Sequence, residues 1–153
     1  MNASDIMEAI AALGQVSMVE ADGNYFFTCK DDEAAQSTHW RPFATLMTND
    51  AYDRHSDLNR AGVYRLNIGI SRAAFQRLLG SGSEASANLE PASGSIDYTA
   101  VDRIMPHPVY ADQHWISVLS PSLNTFETVR PLLIEALSRA QNRQRLREHH
   151  QRD

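Results

Sequence analysis

The sequence predicts an α+β fold, an antiparallel sheet of about five strands with helices packed on one face. Three observations lead there. Segments with strand periodicity follow one another through the first half of the chain, joined by short turn signals instead of helical crossovers. Helical periodicity appears once at the start and then late, so helices do not alternate with strands as a parallel sheet requires. Finally, in Gly62 to Ile70 the even positions Tyr64, Leu66, Ile68 and Ile70 are apolar and alternate with Arg65, Asn67 and Gly69. That period of two marks a strand with one apolar face and one polar face.

The elements follow in order. Ser4 offers an N-cap to a first helix in which Ile6, Met7, Ile10 and Leu13 form one stripe, and Gly14 closes it. Val16 to Ala21 and Tyr25 to Cys29 are predicted as two strands joined at Asp22-Gly23-Asn24, residues that tolerate the positive φ of a tight hairpin. Tyr25, Phe27 and Cys29 share one face of the second strand and Phe26 and Thr28 the other, so both sides are expected to be partly covered. Lys30 to His39 is polar and acidic, an expected loop. Pro42 to Thr48 is predicted as a third strand with proline at its first residue, where a missing N–H does least harm. Asn49 to Ala61 is a polar loop rich in aspartate and arginine, leading into the strand at residues 62 to 70.

Ser71 then caps a second helix carrying Ala73, Ala74, Phe75, Leu78 and Leu79, with Gly80 as its left-handed stop. Ser81 to Ser95 is too small and polar for a core element and is expected to be a loop. Tyr98 to Met105 is predicted as a turn of helix or a short extended piece, and Pro106-His107-Pro108 as extended, because a residue before proline avoids the helical region. Trp115 to Leu119 is the fifth predicted strand. The last helix opens at Ser120-Pro121-Ser122, with Asn124 and Glu127 as a capping box and Phe126, Val129, Leu133, Leu137 and Ala140 as its stripe. Pro131 is expected to kink or split it. Beyond Ala140 only Leu146 is apolar, so residues 1–140 are read as one α+β domain and 141–153 as a frayed basic tail.

Composition narrows the function classes. The 153 residues fit one domain, and no run approaches the roughly 18 apolar residues of a membrane span. The acidic N-terminus is unlike a signal peptide and Cys29 is the single cysteine, which predicts a cytoplasmic protein without internal disulfides. Net charge is −5, and residues 1–60 carry ten acids against four bases. Residues 139–153 carry five arginines against two acids. A basic tail can hold nucleic acid weakly, but the acidic body opposes it.

Candidate site residues come from strand parity first. Arg65 and Asn67 occupy the polar face of the fourth strand, and an inner guanidinium must meet a carboxylate, an anionic ligand or water. An ion pair with Asp57 or Asp102 is one expectation; anchoring a small anion, with Arg41 and His107 gathered beside the same face, is the other. His107, bracketed by prolines, is a candidate general base for a small enzyme in which Arg65 anchors the anion. Asp53, His55 and Asp57 alternate as metal ligands in an extended segment would. Cys29 has only Lys30 as a basic neighbour, so an inert buried thiol is expected. No phosphate loop, metalloprotease helix or serine elbow occurs, so no cofactor is expected. Phe26, Trp40 and Phe43 are candidates for an apolar patch on the second sheet face, where a homodimer contact would form. The function expected is a small-ligand-binding or protein-interaction module, with the enzyme and the nucleic-acid reading as alternatives.

Tyr25-Phe26-Phe27, Pro42-Phe43-Ala44-Thr45, the run from Ser56 to Gly69, Pro106-His107-Pro108-Val109-Tyr110-Ala111, and Phe126 with Arg130-Pro131 resemble a bacterial family of about this length and of unknown function. More distantly, the order of elements is similar to the MmcQ/YjbR-like α+β proteins. That resemblance implies a small antiparallel-sheet domain with a suggested role in DNA binding, and it transfers no catalytic residue.

Overall fold

The computed structural model describes residues 1–30, 41–80 and 96–152. In chain order its elements are α1 (Ala3–Ala11), β1 (Val16–Ala21), β2 (Asn24–Cys29), β3 (Ala44–Met47), β4 (Arg65–Gly69), α2 (Arg72–Leu79), β5 (Ile104–Pro106), a 3-10 turn (Ala111–Gln113), β6 (Trp115–Leu119) and α3 (Leu123–Arg152). The strands form one sheet in the order β1-β2-β3-β4-β6-β5, antiparallel at every pairing. This is the predicted α+β architecture with six strands instead of five. The added strand is β5, in the segment read as either a helical turn or an extended piece. Its Pro106 is tolerated because β5 lies at the sheet edge.

Strand parity divides the sheet into two faces. Leu46, Leu66, Ile68, Ile116 and Val118 face the helices and pack with Ile6 and Ile10 of α1, Ala74 and Leu79 of α2, and Phe126, Val129, Leu133 and Leu137 of α3. Each of the buried Leu, Ile, Val and Phe side chains contributes about 1.5–3 kcal/mol. On the second face the register aligns Phe26, Thr45, Asn67, Ser117 and Met105 in one row, and Met47, Arg65 and Leu119 in the next. Irregular chain covers this face too, since Leu58 packs on Met47, Met105 and Leu119, joined by Val63, Tyr98 and Ala100. Of the residues expected to leave an apolar patch, Phe43 is buried and Phe26 is half-buried edge-on against Tyr52. Trp40, with the loops expected at 30–39 and 81–95, falls largely outside the described residues.

The local signals are met with some shifts. Ala21 pairs with Asn24, so the hairpin turns on Asp22 and Gly23 alone, at φ of 55° and 79°, while Asn24 is buried and accepts the Thr48 N–H at 2.8 Å. The cap of α1 is Asn2, not Ser4: Asn2 accepts from the Asp5 N–H at 2.9 Å and Asp5 accepts from the Asn2 N–H at 2.8 Å. In α3, Ser122 Oγ accepts from the Thr125 N–H at 3.2 Å, while Glu127 pairs with Arg130 and forms no box with Asn124. The helix is neither split at Pro131 nor ended near Ala140. Buried Phe126, Val129, Leu132 and Leu133 hold it on both sides of the proline, outweighing a penalty of about 3 kcal/mol. Among the described residues no helix is long and apolar enough to cross a membrane.

Candidate functional site

Because β4 alternates, Arg65 and Asn67 enter the second face together, and both are buried. Arg65 is 1% exposed, a placement tolerable only if its donors are used. Nη1 donates to Asp53 Oδ1 at 3.0 Å and Nη2 to Asp53 Oδ2 at 2.7 Å, a two-pronged ion pair. Nη1 also donates to Ser56 Oγ at 3.0 Å and Nε to Asn67 Oδ1 at 2.9 Å. Asn67 in turn accepts from Ser117 Oγ at 2.6 Å and donates to Thr45 Oγ1 at 2.9 Å. Four of the five guanidinium N–H groups thus have acceptors among the described residues, and the network ties β3, β4 and β6 to the 49–61 segment.

The expected ion partners of Arg65 were Asp57 and Asp102, and both are corrected to Asp53. Asp57 instead lies 3.8 Å from the exposed Arg60, and Asp102 accepts from the Ser122 N–H at 2.7 Å. Asp53 is presented by a turn in which its Oδ1 accepts the His55 N–H at 3.2 Å, and the buried Leu58, its N–H on Asp50 Oδ1 at 2.8 Å, anchors the segment. Burial pushes the Asp53 carboxyl up, but the hydrogen bonds and charge of Arg65, with the His55 N–H, more than offset it and hold the group below its ordinary value. Asp53, His55 and Asp57 therefore diverge. Asp53 turns to Arg65 and His55 lies edge-on to Tyr98, and no group of three or more potential ligands is found among the described residues.

His107 follows β5 and is 5% exposed. Its Nδ1 accepts from the Val109 N–H at 3.0 Å and the Tyr110 N–H at 3.1 Å. Two donors on one lone pair leave no place for a proton on Nδ1, so the ring proton sits on Nε2. Burial, then the positive charge of Arg65, lower its pKa to about 3 against the opposing pull of Asp53. At neutral pH His107 is an uncharged imidazole that presents an N–H.

These groups border a groove of about 660 Å³ running over the second sheet face. Arg65, Asp53 and His107 line it, with Phe26 and Tyr52 on one side and Tyr110 and Trp115 on the other. A Cβ at Gly69 would stand 2.8 Å from Cε2 of Trp115, so the absence of a side chain there lets the indole lie against β4. Arg41, Arg139 and Arg143 complete the lining. Of the predicted set, Arg65, Arg41 and His107 meet at the groove, whereas Asn67 lies beneath it as a support for Arg65. Arg139, Arg143, Tyr52 and Trp115 were missed. The first two stand one helical turn apart beside the buried Ala140, a basic stripe next to the apolar one that the sequence shows only as part of the arginine-rich residues 139–153. Cys29 is the buried thiol expected, and its Sγ lies 3.0 Å from Gln144 Oε1.

Fold and site together define an α+β protein with one antiparallel sheet, helices on one face, and a groove of mixed charged and aromatic lining under irregular chain on the other. The family of unknown function DUF6194 matches residues 1–149, and the chain belongs to it. No curated protein and no solved structure matches the chain, so the likeness to MmcQ/YjbR proteins is not shown.

Proposed function

We propose that the protein is a binding module whose groove takes a small anionic organic molecule. The observation that carries this reading is a groove of about 660 Å³, within the size range of small-molecule sites, that brings together a neutral, fixed imidazole donor and several arginines. In this reading the Asp53-Arg65-Asn67 network is the rigid floor, already neutralised within the protein. The Nε2–H of His107 fixes the orientation of the ligand, and the outer arginines supply attraction.

A general-base role for His107 with Arg65 as anion anchor is less well supported, because Nδ1 is filled by two backbone donors and Arg65 is spent on Asp53. Nucleic-acid binding through the basic tail is weakened in the same way, since Arg139 and Arg143 border the groove. The test is a thermal-shift screen of small carboxylates and phosphates. Binders are expected to raise Tm, with about 2.7 kcal/mol of added stability at a hundred times Kd, and the rise is expected to shrink at least tenfold in apparent affinity in Tyr110→Ala, a half-exposed groove residue. A screen without binders, or binders indifferent to Tyr110→Ala, overturns the reading.

A further inference from the structure

We infer that the ligand is a phosphomonoester with a flat ring body, its phosphate held by Arg41, Arg139 and Arg143. The inference rests on the groove being a ligand site and adds the chemical class.

The three arginines come from two distant parts of the chain yet line one cavity. Connectivity places them at the same end of it. Gly69, the last residue of β4, donates its N–H to the carbonyl of Phe43 at 3.0 Å, two residues from Arg41. Phe43 donates to the carbonyl of Phe27 at 2.8 Å, and Cys29, two residues on, reaches the carbonyl of Ala140 beside Arg139. The Asp53-Arg65 pair lies toward the other end of β4, four residues or roughly 13 Å away at about 3.3 Å per residue. Arg65 is neutralised by its aspartate, whereas Arg41, Arg139 and Arg143 make no ion pair with a carboxylate among the described residues. Burial first, then the nearby charges of Arg139, Arg41 and Arg147, hold Arg143 below the ordinary arginine range.

Charge and shape select the ligand. A carboxylate carries one charge and offers one planar edge, which a single guanidinium fork saturates. A phosphomonoester carries about −1.5 to −2 at neutral pH and presents three oxygens in a tetrahedral fan, matching several forks at once. Between this end and the Asp53-Arg65 pair, both walls are aromatic, Phe26 and Tyr52 on one side and on the other Tyr110 and Trp115, which pack on His107 at ring-centroid distances of 5.0 and 6.3 Å. A flat ring fits between such walls, and the His107 Nε2–H reads an acceptor on its edge.

Titration calorimetry with phenyl phosphate, benzoate and phenol tests the inference. Phenyl phosphate is expected to bind at least tenfold more tightly than either of the others. Arg139→Gln/Arg143→Gln, and separately Arg41→Gln, are expected to weaken phenyl phosphate at least tenfold while Tm and the circular dichroism spectrum stay as in the parent. Benzoate binding as tightly as phenyl phosphate and lost in Tyr110→Ala overturns the phosphate inference alone and leaves the groove as a ligand site. Phenyl phosphate affinity unchanged in both arginine variants overturns it as well. If none of the three compounds binds, the phosphate inference fails, and the groove reading is then decided by the thermal-shift screen.

Discussion

At the scale of single residues, Arg65 is held by the completeness of its partners. A buried guanidinium loses several kcal/mol of hydration, and Asp53, Ser56 and Asn67 together return four hydrogen bonds, two of them charge-assisted from both sides. Removing the carboxylate charge strands the cation. Asp53→Asn is therefore expected to lower unfolding free energy by about 3–5 kcal/mol, measured by urea denaturation. The double replacement Asp53→Leu/Arg65→Met is expected to be less destabilised than Asp53→Asn alone, since an apolar pair of similar volume leaves no buried charge; a double variant that is the worse of the two refutes this account. The inward direction of Arg65 was legible from period two. Its partner was not: Asp57 or Asp102 is what the sequence suggests, and the path of the 49–61 segment, pinned by the buried Leu58, brings Asp53 instead.

Among the elements, α2 is the most legible. Its eight residues are too few for a stable isolated helix, so caps and packing must both contribute. Ser71 Oγ accepts the Ala74 N–H at 3.1 Å and Gly80 ends the helix at φ 66°, as the sequence predicts at both ends. Ser71→Ala is expected to cost about 1 kcal/mol, read as a lower urea midpoint with unchanged slope; no change would mean that packing of Ala74 and Leu79 alone sets this helix. The ends of α1 and α3 were less legible. Asn2 and Ser4, and likewise Ser122 and Asn124, are competent caps two residues apart, and the choice falls to whichever register turns Ile6, Ile10, Phe126 and Val129 toward the sheet. For Pro131 local propensity reads a break, and packing on the sheet overrides it.

For the whole molecule, the burial of His107 couples stability to pH. Its folded pKa of about 3 lies below the ordinary 6.5, so between these values the unfolded chain binds the proton and the folded one does not. Stability from this group is fully present above about pH 6.5 and is lost as pH falls toward 3. The protein is expected to be about 2–3 kcal/mol less stable at pH 4.5 than at pH 7 on this account. His107→Asn is expected to flatten that slope in urea melts across the interval, and parallel profiles for parent and variant would exclude it. Asp53, whose pKa is lowered, adds stability above its unfolded value of about 3.9 and loses it only below, so the two contributions separate along the pH axis.

The sequence by itself determined the α+β class, a hairpin within Asp22-Gly23-Asn24, both ends of α2, and the division of β4 into an apolar and a polar face. All of these are set by neighbours within a few residues, through periodicity, positive φ and capping. Tertiary structure alone decided that irregular chain covers the second face, that Asp53 takes Arg65, that two backbone N–H groups fix the His107 tautomer, and that Arg139 and Arg143 line a groove with Arg41. Each of these depends on where segments far apart in sequence meet, and a basic helix stripe reads alike whether it faces solvent or a groove.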